Sequence, residues 1–387
     1  MKQKSKDHEA MRPTRAEINL NVLRENVRTL KKVHKGRGFF CPMVKANAYG
    51  HGDVEVTNAL VKEGIERVGV ILTEEGIRLR EKNAGEGKSP QILVFGFFDQ
   101  PSLKECFNHD LTPVIGNFDS LGHLPKDRKI KIHLKFNTGM ARLGFSASDA
   151  AKVLDFVNSH KNIELEGICT HFANGDDAIS PDGMTQAQMR IFSGIEKMFE
   201  GKFKYSHCLN SGALISNFQG LEDYHKNKNY LGARPGIALY GYPPKISDMA
   251  DDIRPVMSVH TSIVQVRNIN KGETVSYGGT WKAQRDSLVA TLCIGYGDGY
   301  PRHFSNNSSM LFRGERVPVI GRVCMDYTII DLTEFKNKPE IKMGEEVTVW
   351  GYQGKQKLSA EELAQNINTI SYELITRLGP RVPRVYV

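Results

Sequence analysis

The sequence predicts an α/β protein with an N-terminal (β/α)8 TIM-type barrel followed by a mainly β C-terminal domain. Between about Phe39 and Pro235, short apolar runs alternate with amphipathic helical patterns, as in a closed parallel sheet. After about Ile246 the runs alternate apolar and polar residues and are separated by turns containing Gly and Pro. The chain of 387 residues is also longer than one core usually supports. We therefore expect a flexible tail at 1–10, a barrel at 11–245 and a β domain at 246–387.

The barrel prediction depends on eight strand candidates separated by helices. The strand candidates are 39-FFCPMVK, 66-ERVGVIL, 91-QILVF, 111-LTPVI, 130-KIHLKF, 165-LEGICT, 204-KYSHCL and 231-LGARP. The clearest helical patterns between them are 53-DVEVTNALVKEG, 73-TEEGIRLREKN, 147-ASDAAKVLDFVNSH and 184-MTQAQMRIFSGIEKMF. A doubly wound open sheet would give the same alternation and remains the alternative.

The C-terminal region reads as a series of strands with one helix. The strand candidates are 258-SVHTSIVQVRNI, 287-SLVATLCIGYG, 315-ERVPVIGRVCMDYTIIDL and 345-EEVTVWGYQ. The helical segment 359-SAEELAQNI opens with Ser359 and Glu362 at the spacing of a capping box. We place the linker between the two domains at 246–255.

Composition excludes several classes of protein. The six cysteines form no CxxC pair, which argues against a disulfide framework and against a metal site. No apolar run approaches the length of a membrane span, and no apolar segment follows the basic N-terminus, so we expect a cytoplasmic protein without membrane contact. The net charge of +8 is dispersed in short clusters without a nucleic-acid-binding motif, so we expect no nucleic-acid partner.

Polar residues gather at the C-terminal ends of the predicted barrel strands, where barrels of this kind build their active sites. A lysine at the end of a buried strand must be solvated, paired or used for chemistry, because an isolated buried charge is costly. These strand-end residues are Lys45, Arg142, His171, Asn210, Ser211, Arg234, Gly236 and Ile237.

Two of these stretches suggest a phosphate site. Asn210 and Ser211 stand at a predicted helix N-terminus, where free backbone N–H groups favour an anion. The turn 236-GIALYG adds further backbone donors. Taken alone, either feature could be an ordinary helix cap or turn. Together with Lys45 they suggest pyridoxal 5'-phosphate, because an amine and a phosphorylated aldehyde are the two partners of its covalent link to protein.

The sequence resembles the alanine racemases, two-domain pyridoxal phosphate enzymes of the barrel fold, from about Arg12 to Arg384. The matching stretches are 44-VKANAYGHG, 138-TGMARLGF, 170-THFAN, 207-HCLNSGA, 232-GARPGIALYG, 275-VSYGGTW, 294-IGYGDGYPR, 321-GRVCMDYT and 381-RVPR. The resemblance implies a racemase that interconverts L-alanine and D-alanine and supplies D-alanine for peptidoglycan. Lys45 would carry the cofactor and take the α-proton from one enantiomer, and Tyr277 would take it from the other.

The resemblance also implies the remaining site residues. Arg234 would face the pyridine nitrogen, and His171 and Arg234 would lie close to Tyr277. Arg142 and the backbone of Met325 would bind the substrate carboxylate. Supporting positions would be Lys135, Tyr296, Cys324 and Asp326. The phosphate ligands would be Tyr49, Ser211, Gly236, Ile237 and Tyr372, with Asn210 beside them.

Three further expectations follow from the resemblance. Tyr277 and Met325 would reach the cofactor of a neighbouring subunit, which implies a head-to-tail homodimer with two shared sites. Lys135 occupies a position that is carbamylated in many relatives, although Asn137 stands where aspartate is common. Gly297 replaces a frequent alanine, a change expected to affect packing more than chemistry. A broader-specificity racemase, a barrel-type amino-acid decarboxylase and a non-enzymatic cofactor carrier remain the alternatives.

Overall fold

The computed structural model describes residues 12–35, 38–82, 84–85, 87–177, 180, 182–216, 231–243, 252–336 and 338–387. The chain divides into two units. One spans Leu20–Arg254, and the other combines Met1–Asn19 with Pro255–Val387. The predicted tail at 1–10 and the predicted boundary between residues 245 and 246 lie outside the described residues.

A parallel sheet forms the centre of the first unit. Strands are numbered in chain order, and this sheet contains β2 (Arg67–Val70), β3 (Gln91–Val94), β4 (Leu111–Ile115), β5 (Ile130–Asn137), β6 (Phe145–Ser146), β7 (Ile163–Cys169), β8 (Tyr205–Leu209) and β9 (Gly232–Ala233). The order is β2-β3-β4-β5-β7-β8-β9, with β6 paired to β5. All five residues of β4 are buried, as expected for a parallel sheet covered on both faces.

The segment 39–44 closes this sheet into a barrel. Phe40 bridges Ala233 of β9, and Met43 bridges Gly69 of β2, both in parallel orientation. The backbone N–H of Val44 donates to the carbonyl of Gly69 at 2.8 Å. The edge strands β2 and β9 therefore both have a partner, which confirms the barrel prediction and excludes the open doubly wound sheet. The segment forms isolated bridges rather than a long strand, and Pro42 within it has no N–H to donate.

Helices alternate with these strands along the chain. They are α1 (Leu20–His34), α2 (Asp53–Lys62), α3 (Thr73–Glu81), α4 (Gln100–Asn108), α5 (Phe118–Gly122), α6 (Ala150–Ser159), α7 (Met184–Met198) and α8 (Ser211–Ile215). In α1 the buried residues Leu23, Val27 and Leu30 recur at helical spacing, so one stripe of the helix faces the core. In the described part of the chain, no helix has both the length and the apolar character needed to cross a membrane.

The second unit is mainly β, as predicted. Its large sheet has the order β18-β17-β14-β15-β16-β13-β10-β1-β19, and β11 pairs separately with β12. Ser359 accepts a hydrogen bond from the backbone N–H of Glu362 at 3.0 Å and so caps α9. The strands are β1 (Arg15–Ile18), β10 (Met257–Ile269), β11 (Thr274–Val275), β12 (Trp281–Lys282), β13 (Ser287–Leu292), β14 (Ser309–Phe312), β15 (Glu315–Ile320), β16 (Thr328–Asp331), β17 (Glu346–Gln353), β18 (Gln356–Leu358) and β19 (Arg384–Tyr386), and the helices are α9 (Ala360–Asn366) and α10 (Ser371–Arg377).

The N-terminal strand β1 belongs to this second unit, whereas the sequence analysis placed residues from 11 onward in the barrel. Arg15 lies opposite His260 in an antiparallel pairing, and Ala16 lies opposite Arg384 in a parallel one. The sequence pattern shows that 15–18 can form a half-buried strand. It does not show which strand pairs with it, because both partners are more than 200 residues away in sequence.

Candidate active site

Lys45 stands at the entrance to an unusual backbone turn. The four residues after it, Ala46, Asn47, Ala48 and Tyr49, all have left-handed backbone angles, with φ of 52°, 54°, 51° and 52°. For residues other than glycine this conformation costs roughly 1–2 kcal/mol each, so the turn stores about 4–8 kcal/mol that surrounding contacts must offset. A strained backbone held beside a strand-end lysine is typical of a functional site.

The amine of Lys45 lies in a partly buried position without a hydrogen-bonding partner among the described residues. Burial lowers the pKa of Lys45, the charge of Arg142 lowers it further, and Glu75 acts in the opposite direction. The Nζ atom lies 5.9 Å from the centre of the Tyr49 ring. An amine with a lowered pKa is the form that a nucleophile or a base requires.

Other cationic side chains surround this lysine. The pKa of Lys135 is lowered to about 8, mainly by burial, and the charges of Arg234, Arg142 and Lys45 act in the same direction. Burial also lowers the pKa of His171 far below its usual range, and the same four cations strengthen that effect. The four cations Lys45, Lys135, Arg142 and Arg234 therefore share one region of the barrel unit, which favours an anionic ligand.

Arg234 is 5% exposed and is held by backbone carbonyls. It donates to the carbonyl of His207 at 2.6 Å and to that of Thr170 at 2.7 Å. It also donates to Nδ1 of His207 at 2.6 Å and to Nδ1 of His171 at 3.2 Å. A nitrogen that accepts cannot carry a proton, so both imidazoles are neutral, with the remaining proton on Nε2. Nε of Arg234 has no hydrogen-bond acceptor among the described residues.

A buried chain of hydrogen bonds runs from Arg234 across the barrel core. Nε2 of His207 donates to Nδ1 of His133 at 2.8 Å, and Nε2 of His133 donates to the carboxylate of Glu166 at 3.1 Å. Burial raises the pKa of Glu166, but hydrogen bonds from His133 and Gln91 outweigh it and bring the value to about 2. A carboxylate thus stands behind the guanidinium, linked to it through two neutral imidazoles.

The sequence analysis did not predict this series of hydrogen bonds. His207 lies in the motif 207-HCLNSGA without an assigned role, and His133 and Glu166 look like ordinary strand residues. The available signal was the presence of polar residues within strands of a buried parallel sheet, since buried polar groups require hydrogen-bonding partners. The partners themselves come from three different strands and could not be read from the sequence.

A compact cradle forms where α8 meets the turn after β9. The hydroxyl of Ser211 accepts hydrogen bonds from the backbone N–H groups of Gly236 at 3.0 Å and Ala238 at 3.3 Å. Asn210 caps α8 by accepting from Ala213 N at 3.0 Å, so Ser211 is the first helical residue rather than the cap. A Cβ at Gly236 would lie 2.4 Å from the Tyr49 hydroxyl, which explains why a glycine stands there.

Asn137 organises the loop that carries Arg142. Its side-chain oxygen accepts from the backbone N–H of Ala141 at 2.8 Å and from that of Gly139 at 3.2 Å. Ala141 has a left-handed φ of 54°. The amide therefore shapes this loop, and Arg142 remains exposed.

The second unit holds the other predicted site residues, and most of them are exposed. Tyr277 begins a short 3-10 turn and is 71% exposed, and Met325 is 54% exposed. Ser276, with a left-handed φ of 64°, holds this turn by donating from its hydroxyl to the carbonyl of Arg322 at 2.6 Å. Two large aromatic residues with polar hydroxyls, Tyr296 and Tyr372, are also exposed on this unit.

The loops that carry Tyr296 and Met325 are joined to each other. Backbone N–H groups of Tyr296 and Gly297 donate to the carbonyls of Cys324 at 3.0 Å and Met325 at 2.9 Å. Asp326 pairs with Arg381 at 2.6 Å. A Cβ at Gly297 would lie 2.7 Å from Nη1 of Arg381, so glycine leaves room for this arginine.

The predicted residues therefore fall into two groups, one on each unit. The barrel unit carries Lys45, Tyr49, Lys135, Arg142, His171, Asn210, Ser211, Arg234, Gly236 and Ile237, and the β unit carries Tyr277, Tyr296, Cys324, Met325, Asp326 and Tyr372. Within the barrel unit, the electrostatic contacts around His171 bring Lys45, Lys135, Arg142 and Arg234 into one neighbourhood.

A closed barrel with a lysine and a cationic cluster at its strand ends, followed by a β unit, defines a two-domain barrel enzyme. The family profile described as the alanine racemase N-terminal domain matches residues 18–244, and the alanine racemase C-terminal domain matches residues 256–386. The chain therefore belongs to the alanine racemase family, and the predictions of family and of an isomerase are confirmed.

Individual relatives agree with this assignment over nearly the whole chain. The alanine racemase of Halothermothrix orenii is 37% identical over 97% of this chain and 97% of its own length. The alanine racemase structure from Streptomyces coelicolor A3(2) has a TM-score of 0.88 at 28% identity, covering 98% of this chain and 100% of that one. The structure from Bartonella henselae, described with covalently bound pyridoxal phosphate, has a TM-score of 0.82 at 26% identity over 97% and 99% of the two chains.

Proposed function

We propose that this protein interconverts L-alanine and D-alanine with pyridoxal 5'-phosphate covalently held by Lys45. The observation that carries the proposal is the Lys45 amine, which lies in a cationic neighbourhood with a lowered pKa. A cofactor with an aldehyde and a phosphate satisfies both features, because the aldehyde takes the amine and the phosphate offsets the positive charge.

The barrel residues fit this cofactor. The Ser211 hydroxyl and the backbone N–H of Ile237 are groups of the kind that bind phosphate. The N–H of Gly236 donates to the Ser211 hydroxyl, and the Tyr49 hydroxyl lies against Gly236. Asn210 fixes the start of α8 beside them. On the β unit, Tyr372 is exposed and carries a further hydroxyl. When bound, pyridoxal phosphate withdraws electrons from the Cα of the attached amino acid and so makes its hydrogen acidic.

Arg234 favours racemisation over other reactions of this cofactor. We place it at the pyridine nitrogen, with its Nε available and its other nitrogens occupied by carbonyls and imidazoles. A guanidinium donates hydrogen bonds and does not give up its proton, so a ring nitrogen held against Arg234 would stay unprotonated. The electron-withdrawing effect would then be weaker than with a carboxylate partner, which would favour rapid return of the proton to Cα.

Two residues exchange the α-proton in this proposal. Lys45 takes it from the D-enantiomer, and Tyr277 takes it from the L-enantiomer on the opposite face. Arg142, with the backbone of Met325, binds the substrate carboxylate, which keeps Cα in place during the exchange. His171 and Arg234 support Tyr277, and Tyr296, Cys324 and Asp326 shape the surrounding loops.

We propose that Tyr277 and Met325 come from a second copy of the chain, in a head-to-tail homodimer. Both units expose large apolar or aromatic side chains. On the β unit these include Tyr277, Met325 and Tyr327, with exposures of 71%, 54% and 48%. On the barrel unit they follow β2, β3, β4 and β5, at Leu72, Phe97, Phe118 and Leu143, and Phe118 is the first residue of α5. Exposed apolar surface of this kind marks protein interfaces.

The cellular role we propose is cytoplasmic supply of D-alanine for peptidoglycan. All six cysteines are free thiols, and four are buried, which suits a reducing compartment.

A racemisation assay over a panel of L-amino acids tests the proposed reaction. We expect D-alanine from L-alanine and no carbon dioxide. Comparable rates with serine or larger side chains would favour the broader-specificity racemase, and carbon dioxide would favour the decarboxylase.

Purified protein should absorb near the visible range because of the bound cofactor, and Lys45→Ala should remove this absorbance. An unchanged spectrum in that variant would refute the assignment of Lys45.

Co-expression of two inactive variants tests the shared site. One variant lacks Lys45 and the other lacks Tyr277. In a mixed dimer, one of the two sites therefore combines an intact Lys45 with an intact Tyr277. Random pairing makes half of the dimers mixed, so about a quarter of wild-type activity is expected. No regain of activity would contradict a site built from two copies.

A further inference from the structure

The carboxylate of Glu75 joins the turn after Lys45 to the loop that follows β2. Its Oε1 accepts from the backbone N–H of Ala46 at 2.5 Å. Its Oε2 accepts from the backbone N–H groups of Ile71 at 2.9 Å and Leu72 at 3.1 Å. One side chain on α3 thus binds three backbone donors in two separate segments of the barrel unit.

The 45–49 turn needs such an acceptor. Its preceding residue, Val44, has no side chain that can cap the turn, so the N–H of Ala46 depends on a group from elsewhere in the fold. Ala46 is also the first of the four left-handed residues, and none of them is a glycine. A hydrogen bond to a charged acceptor at this point opposes relaxation of the turn toward ordinary backbone angles.

We propose that Glu75 is the positioning residue for Lys45: by holding Ala46 it fixes the left-handed turn and with it the direction of the Lys45 side chain. This inference rests on the function proposed for Lys45, and Glu75 would act through the backbone of the turn. Because Tyr49 ends the same turn, Glu75 also holds the tyrosine hydroxyl against Gly236.

Charge gives Glu75 a second effect on the same lysine. Its carboxylate favours the protonated amine, whereas burial and Arg142 favour the neutral one. The other titratable or charged groups of this neighbourhood include Lys135, His171, Arg234, the thiol of Cys169 and the phenol of Tyr49. Because the charge of Glu75 raises the pKa of Lys45, removal of this carboxylate moves the titration of Lys45 to lower pH.

Hydrogen exchange of the full-length protein tests the positioning role without measuring activity. A glutamine at position 75 keeps one oxygen acceptor, so it can serve Ala46 or the pair Ile71 and Leu72, but not both. In Glu75→Gln we expect exchange of at least one of these sets of amides to become about fivefold faster or more, with and without pyridoxal phosphate. Glu74→Gln is the matched control, since Glu74 is the exposed neighbour on the same helix, and it should leave these amides unchanged. Equal exchange in Glu75→Gln and wild type would overturn the proposal.

Competitive acetylation of Lys45 in cofactor-free protein provides the second measurement. The pH midpoint of labelling should move to lower pH in Glu75→Gln and stay in place in Glu74→Gln. An unmoved midpoint in Glu75→Gln would overturn the electrostatic part of the proposal. In the loaded enzyme, kcat should fall while KM stays close to that of wild type. If wild-type protein does not racemise alanine, the proposed function fails, while exchange and acetylation still decide what Glu75 does.

Discussion

Replacement of Lys135 by methionine should stabilise the barrel unit, because the native lysine is held where its charge is unfavourable. The side chain is 9% exposed, and its pKa falls from about 10.5 to about 8. The folded state therefore disfavours the ammonium form, and this cost is present below pH 8 and disappears as the pH rises from 8 to 10.5. From the pKa values of the unfolded and folded states, this cost in free energy of unfolding is about 3 kcal/mol at pH 7 and about 1.5 kcal/mol at pH 9.5.

Chemical denaturation of wild type and Lys135→Met in buffers free of carbon dioxide measures this cost. The free energy of unfolding of the variant should exceed that of wild type at pH 7, and the difference should shrink by about 1.5 kcal/mol at pH 9.5. The change with pH is diagnostic, because loss or gain of packing by methionine is the same at both values. A difference that does not depend on pH would refute the reasoning.

The same lowered pKa makes Lys135 a candidate for carbamylation. At pH 7 about a tenth of its amine is neutral, roughly 300-fold more than for an ordinary lysine, and only the neutral amine adds carbon dioxide. A carbamate would reverse the charge beside Arg142, Lys45 and Arg234 and so remove the cost. Bicarbonate labelled with carbon-13 should give a carbamate resonance and stabilise wild type at pH 7, with neither effect in Lys135→Met. Identical responses of the two proteins would exclude the modification.

Three further predictions follow from the site. Tyr277→Phe should slow α-proton exchange from L-alanine by about 100-fold or more and affect D-alanine much less, whereas equal losses would count against two bases. Arg234→Leu leaves the carbonyls of Thr170 and His207 without their donor, so the free energy of unfolding should fall by about 3–5 kcal/mol, and a fall below about 1 kcal/mol would contradict the role of these bonds. Glu166 has a depressed pKa of about 2, so its stabilisation is complete above about pH 4.5 and is lost as the pH falls toward 2. Wild type should lose about 2 kcal/mol more than Glu166→Gln between pH 7 and pH 3, and parallel curves would argue against the hydrogen bonds from His133 and Gln91 to this carboxylate.

Much of the fold was predictable because its signals are local. Apolar runs of strand length separated by amphipathic helices indicated the barrel, and the change to alternating runs indicated the β unit. Closure of the sheet through Phe40 and Met43 was predictable only as one of two alternatives, because a closed and an open parallel sheet have the same local pattern. The N-terminal strand was assigned to the wrong unit, since its partners are contributed by distant parts of the chain.

The candidate site shows the same limit. The sequence predicted a shared site from residues at strand ends, because parallel strands present their carboxyl ends at one face of a barrel. These residues include Lys45, Arg142, His171 and Arg234. The left-handed backbone after Lys45 was not predictable, since the letters KANAY contain no glycine and give no reason to expect positive φ. Only contacts with other segments, such as that from Glu75, stabilise it.

The sequence alone determined the fold class, the family and the chemical types available at each strand end, because these depend on periodicity and on short ordered motifs. The tertiary structure decided how those groups are charged and held. It brought four cations together around His171, linked Arg234 to Glu166 through two neutral imidazoles, and moved β1 into the second unit. Such properties depend on burial and on partners far apart in sequence. A shifted pKa or a strained turn therefore arises only when folding brings those partners into contact.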